Sequence, residues 1–299
     1  MIYYIFILLA VTAFTLQFVF TRLYSRTVRE EAVTALGMLV TVGLVGGIVA
    51  LIGSGGRLTA SPTSLLLALL FAAVMIPYHT LSIKALSLGS LAVYSTFMML
   101  GGMLLPFLYG ILLLGEPITW GKLLGCAVLT LSILLQGVAE GKRHTGTQGG
   151  AVFFLICLAI FVINGMTGVI SQTHALHPAA VDEWSFTFFS SVMTAALALL
   201  LLGLLLLKRG RAGIASLATF LRPRPLSLAS LLGLCMHSGN FLILLAAPHV
   251  GASIQFPLIS GGTIALSAVA ALLLFREKPS RLEAVAVIGA CLSTVLFAF

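Results

Sequence analysis

Charge is what this chain has least of: 8% of its 299 residues are Asp, Glu, Lys or Arg, and only eight of those are acidic. With 60% hydrophobic residues and a mean hydropathy of +1.17, too little polar surface remains to coat a water-soluble globule, so lipid is the expected solvent. The acids are Glu30, Glu31, Glu116, Glu140, Asp182, Glu183, Glu277 and Glu283, and each falls in a gap between apolar runs or within about a turn of a run's end. That placement disfavours a cation-for-proton exchanger built on a membrane-embedded carboxylate. Cysteine is also scarce. Cys126, Cys157, Cys235 and Cys291 have no paired spacing and lie inside apolar runs, which reads as helix packing and not as disulfides or metal ligands. No basic stripe is interleaved with exposed aromatics, which argues against nucleic acid as a partner.

What the chain has is long apolar runs. A spanning helix needs roughly 20 mostly apolar residues. Ten stretches are candidates: Ile2–Phe20, Ala32–Ile52, Ser64–Lys84, Leu91–Leu114, Trp120–Val138, Gly150–Ile170, Trp184–Leu206, Leu226–Ala246, Ala252–Phe275 and Leu282–Phe297. The first has neither a basic leader nor a small-residue cleavage site, so a retained helix is expected. Basic residues sort by gap. Fourteen of the sixteen Lys and Arg fall in the odd-numbered gaps, including Arg22, Arg26, Arg29, Lys208, Arg209, Arg211, Arg276, Lys278 and Arg281, and only Arg57 and Lys122 fall in even ones. By the positive-inside rule the odd gaps are cytoplasmic and both termini, with Asp182 and Glu183, face outward. The net charge of +8 then reports orientation and contact with anionic headgroups.

The chain also resembles itself. Leu114-Gly115-Glu116-Pro117-Ile118-Thr119 returns 161 residues later as Phe275-Arg276-Glu277-Lys278-Pro279-Ser280. Leu131-Ser132 matches Leu292-Ser293, Gly101-Gly102 matches Gly261-Gly262, and Phe14 with Gln17 matches Phe161 with Asn164. Each half therefore holds five spans, residues 1–141 and 149–299, joined by a linker at 142–148. Because five is odd, the second half must enter from the opposite side. The expected fold is an all-α membrane protein of ten transmembrane helices in two inverted five-helix repeats, an arrangement suited to alternating access around a shared cavity.

These motifs resemble the drug/metabolite transporter superfamily, specifically its EamA-like domain pair. The resemblance covers essentially the whole chain through Gly115–Thr119, its degenerate copy at Arg276–Ser280, and the five-plus-five pattern. It implies a carrier for small organic molecules with a cavity lined by spans one, three, four, six, eight and nine. Many ten-span members keep both termini in the cytoplasm, whereas the charge count here places them outside.

Polar side chains at lipid depth point to a site by default. Gln17 and Asn164 are repeat counterparts whose amides both donate and accept. Span three adds Tyr78 and His79, and span eight adds His237 and Asn240 on one face. Tyr94 and Gln255 match in the fourth and ninth spans, and Phe14 and Phe161 offer apolar contact. His79 or His237 could carry a coupling proton, since an imidazole titrates near neutrality. The competing reading is ordinary helix-to-helix hydrogen bonding for Gln17, Asn164 and the polar groups of spans three and eight, and ordinary packing for Tyr94 and Gln255. Glu116 and Glu277 read as structural groups that satisfy backbone N–H at a helix opening. Lys84 reads as snorkelling, Gly101, Gly102, Gly110, Gly261 and Gly262 as close-approach positions, and Pro106 and Pro257 as candidate kinks. His174, His177, Asp182 and Glu183 lack the spacing of a metal site, and no cofactor or metal is expected.

A membrane enzyme would need buried carboxylates, an activated Ser or clustered metal ligands, and the spans supply none. A passive channel would need a continuous polar lining. The expectation is a secondary transporter in the cytoplasmic membrane, not an enzyme, with a flippase for a lipid-linked substrate as the alternative. Its partners would be a small-molecule substrate and membrane lipids, with room left for a coupling proton and a homodimer.

Overall fold

An apolar run of about 20 residues satisfies its own backbone in lipid by forming a helix, since every hydrogen bond then closes within the segment. The computed structural model describes residues 2–28, 32–114, 119–143, 149–246, 249–250, 252–296 and 299. Among them are eleven α-helices: α1 (Ile2–Thr27), α2 (Ala32–Gly53), α3 (Pro62–Leu88), α4 (Leu91–Leu114), α5 (Trp120–Arg143), α6 (Gly149–Leu176), α7 (Glu183–Arg209), α8 (Arg211–Phe220), α9 (Pro223–Ala246), α10 (Ala252–Phe275) and α11 (Arg281–Leu296). Eight are long and apolar enough to cross a membrane, where ten were expected. The other two expected spans are α5, with a shorter apolar run at Trp120–Leu135, and α11, with 16 described residues. α8 was not expected at all. It occupies the basic gap between the seventh and eighth apolar runs.

Helix starts follow local chemistry. Ser61 precedes Pro62 and accepts the Ser64 backbone N–H at 3.2 Å, placing proline where its missing donor costs nothing. Asp182 caps α7 by accepting from the Ser185 N–H at 3.0 Å and the Ser185 hydroxyl at 2.6 Å. Ser280 and Glu283 form a reciprocal capping box at the head of α11, with Ser280 N–H donating to Glu283 at 2.6 Å and Glu283 N–H to the Ser280 hydroxyl at 3.2 Å. The end of α10 is sharper. Glu277 N–H reaches back to the Ala271 carbonyl at 3.0 Å, and Arg276 takes the left-handed conformation, φ 54°, that such endings usually give to glycine.

The chain divides into two compact units that each draw on both sequence halves. The first holds Met1–Val19, Leu88–Met166 and Gly239–Phe299; the second holds Phe20–Ser87 and Thr167–Ser238. In the first unit α10 packs on α4 and α11, and α5 packs on α11. Glycines set the spacing there: a Cβ at Gly101 would overlap the Phe161 backbone, and one at Gly262 would press on Val11 at 3.1 Å. Glu277 closes the same unit by accepting from the Ser90 hydroxyl at 2.8 Å and the Leu91 N–H at 3.1 Å.

In the second unit α2 lies along α7, with Gly43 against Ser191 and Ala195, Gly47 against Val192 and Gly53 against Trp184. α8 packs on α2 and α7, and its Phe220 fills the space left open at Gly37 of α2. Tyr24, Met38, Ala229 and Leu232 are fully buried in this core, and the Tyr24 hydroxyl donates to the Thr34 carbonyl at 2.7 Å. At one end of the unit the 54–61 loop is tied to the 177–182 loop. Thr59 N–H donates to the Ser185 hydroxyl at 2.9 Å, Ser61 donates to the Ala179 carbonyl at 2.7 Å, and Val181 N–H donates to the Ser64 hydroxyl at 3.1 Å.

Candidate functional site

In the first unit the expected site residues line up on α1, α4, α6 and α9. Phe14, Gln17 and Phe161 are buried, with Gln17 only 3% exposed, and Asn240 is exposed. The Phe14 ring abuts Gly239, whose missing side chain makes room for it. Tyr94 is buried and meets Phe18 edge to face, ring centroids 5.7 Å apart. Asn164 has a defined structural bond: its Nδ2 donates to the Met98 carbonyl of α4 at 2.7 Å, and it lies over Gly102, where a side chain would displace it. Part of its hydrogen-bonding capacity therefore clamps α6 to α4. Gln255 falls in α10, but its side chain is outside the described residues, as are Glu116 and the side chain of Pro257.

Glu277 satisfies backbone N–H as expected, but at α4 and not at the helix that follows it. The head of α11 is already served by Ser280 and Glu283, which leaves the Glu277 carboxylate for Ser90 and Leu91.

In the second unit Tyr78, His79 and His237 are all buried. Tyr78 and His79 stand edge to face at 4.8 Å, directly after Pro77, which removes one ladder donor from α3. His79 and His237 share one small, partly open pocket of about 20 Å³, together with Met75, Met236, Ser190, Ser191 and Thr194. The His237 ring is hydrogen-bonded to the Val42 backbone, while its Nδ1 is buried without a partner. Gly46 makes this possible, since a Cβ there would overlap the ring. The two methionines were not read from the sequence as polar or functional, because hydropathy counts a thioether as plain hydrocarbon. A separate feature is an open apolar concavity of about 470 Å³ along α10 and α11, lined by Ala265, Ala268, Ile288 and Val295.

At the tied loops His174 is buried, shares a 3.0 Å hydrogen bond with the Ser64 hydroxyl and stacks on Phe186 at 4.0 Å. Partial burial pushes the Asp182 carboxyl up, but bonds from the Ser185 hydroxyl and N–H, the Thr59 hydroxyl and the Trp184 N–H outweigh that and hold it below the ordinary carboxylate range.

These features define a multi-span, all-helical membrane protein. No family model and no curated protein matches its sequence. Its fold does have a counterpart: a crystal structure described only as that of a protein is similar over 96% of this chain and 95% of that chain, with a TM-score of 0.53 and 16% identity. At that identity the likeness shows the fold alone.

Proposed function

We propose that this protein is a secondary transporter that moves a small organic metabolite or drug-like solute across the cytoplasmic membrane by alternating access, with ten spans in two inverted EamA-like repeats. The observation that carries the reading is that helices pack on their own counterparts. α2 packs on α7, α4 on α10 and α5 on α11, and in the repeat read from the sequence each of these is a matched pair. Packing about a two-fold axis produces such pairs, and it is the loop contacts below that favour an axis in the membrane plane over one along its normal. Exchange of contacts supports the same axis: Gly102 of α4 meets Asn164 of α6, while Gly262 of α10 meets Val11 of α1.

Loop parity agrees with ten crossings. The 54–61 and 177–182 loops, hydrogen-bonded through Thr59 and Ser61, are the second and sixth gaps and belong on one face. Glu277 and Ser90 join the ninth and third gaps, which belong on the other. For solute contact the reading uses Gln17 as the polar anchor, with Phe14 and Phe161 as apolar walls. Phe14 and Phe161 can take up a hydrocarbon or aromatic portion, and the Gln17 amide can both donate and accept.

The test is counterflow in proteoliposomes against a panel of amino acids, nucleosides, amines and sugar phosphates. Saturable exchange of one class, reduced at least tenfold by Gln17→Ala in protein that still melts cooperatively, is the expected outcome. Absence of saturable exchange for every class, with folded protein in sealed vesicles, would contradict it.

A further inference from the structure

The pocket where α2, α3, α7 and α9 meet in the second unit has a chemistry that the solute reading does not use. Its lining carries imidazoles from His79 and His237, thioethers from Met75 and Met236, and hydroxyls from Ser190, Ser191 and Thr194, with no Asp, Glu, Lys or Arg. Met75 and His79 stand one turn apart on α3, and Met236 precedes His237 on α9.

Two hydroxyls and one imidazole nitrogen of the lining offer only lone pairs. Thr194 donates its proton to the Ser190 carbonyl at 2.7 Å and Ser190 donates to the Thr187 carbonyl at 3.1 Å, so both hydroxyls have only lone pairs left to offer. His237 is set the same way. Its bond to the Val42 backbone must run from Nε2–H to the carbonyl, because Nδ1 has no partner and the Val42 N–H belongs to its helix ladder. That bond leaves a bare lone pair on Nδ1, 8% exposure notwithstanding, and a backbone carbonyl fixing the tautomer is the usual second partner of a metal-binding histidine. Leaving a buried acceptor without a donor is unfavourable, so the pocket favours a guest that supplies positive charge.

The room, about 20 Å³, admits a water-sized or monatomic guest. With no carboxylate or thiolate to neutralise it, a divalent ion at lipid depth would be poorly compensated, whereas a monovalent one carries a smaller penalty. Thioether sulfur selects soft ions. We infer that this pocket binds one soft monovalent metal ion, Cu(I) or its redox-silent analogue Ag(I), between the imidazoles of His79 and His237 and the thioethers of Met75 and Met236. A proton or a lone water, by contrast, gains nothing from the sulfurs. The inference does not rest on the transport reading and stands or falls separately from it.

The experiment is a titration of the full-length chain with Ag(I) nitrate, followed by methyl resonances of 13C-methyl methionine. To remove competing thiols, Cys126, Cys157, Cys235 and Cys291 are all changed to Ala; the same titration on the wild-type chain reads the same methyls once the thiols have taken up their share. Met75→Leu and Met236→Leu, which conserve volume, assign the two pocket signals among the nine methionines. The expected result is that these two signals move together, saturate at about one equivalent, and need at least tenfold more Ag(I) in His237→Gln. Pocket methyls that stay in place through several equivalents overturn the inference, and so does a Met75→Leu/Met236→Leu double variant in the same cysteine-free background that takes up one equivalent of Ag(I) as tightly by calorimetric titration. Because the decisive signals come from an unaltered pocket, a poorly folding His237 variant would not rescue or sink it.

Discussion

Replacing Glu277 with Ala should loosen the first unit by about 2 kcal/mol, because one carboxylate serves the open end of another helix. Its Oε2 accepts from the Ser90 hydroxyl at 2.8 Å and the Leu91 N–H at 3.1 Å. Bonds to a charged acceptor contribute about 1.5–3 kcal/mol net. The negative charge at the start of α4 adds about 0.3–1 kcal/mol through the helix dipole. Glu277 is only half-buried, so the lower part of the combined range applies. Glu277→Gln keeps an acceptor oxygen and loses the charge, and should cost about half as much. Ser90→Ala removes one donor and leaves Leu91 bonded, at about 1 kcal/mol. The assay is reversible unfolding in mixed detergent–SDS micelles, arranged as a double-mutant cycle across Ser90 and Glu277 with an expected coupling of about 1 kcal/mol. A coupling within 0.3 kcal/mol of zero, on the order of the usual additivity error, would refute the assignment of Glu277 as the cap of α4.

Other positions give further outcomes. Arg276→Gly should stabilise the protein by up to about 1 kcal/mol, since Arg276 holds a left-handed φ of 54° and its sequence counterpart is Gly115; a lower unfolding midpoint would contradict this. Asp182 is held below the ordinary carboxylate range, so its stabilisation is complete above that range and lost as pH falls through the depressed value. Melting curves from pH 7 to about 3 should therefore converge for wild type and Asp182→Asn, and a gap independent of pH would count against it. Gly46→Ala should cost about 1–3 kcal/mol by forcing the His237 ring aside, visible as a shifted imidazole resonance; an unchanged resonance would refute the close approach.

Much of the fold was legible because apolar length and loop charge act locally. α4 and α10 have the bounds expected from their apolar runs, and α2 extends one residue further, to Gly53. α8 was hidden because a ten-residue helix among Arg209, Arg211, Arg222 and Arg224 has no spanning hydropathy, and Phe220 gains its place only against Gly37 on another helix. The site was less legible. Burial of Gln17, His79 and His237 follows from polar groups avoiding lipid. By contrast, the partner of Asn164 is a backbone carbonyl 66 residues away, which no side-chain pattern announces. The pocket methionines were silent for the same reason: what matters is which atoms converge, and convergence is a property of the packed helices.

Opposite entry of the two sequence halves into the membrane, as proposed above, is read most directly from the connection after the second long helix of each half. In a background lacking the native cysteines, Arg57→Cys marks the first of these connections and Arg211→Cys, at the start of α8, marks the second. A membrane-impermeant maleimide applied to intact cells should label Arg57→Cys at once and Arg211→Cys only after permeabilisation. Labelling of both from the same side would mean that the halves run in parallel and that the inverted-repeat account is wrong.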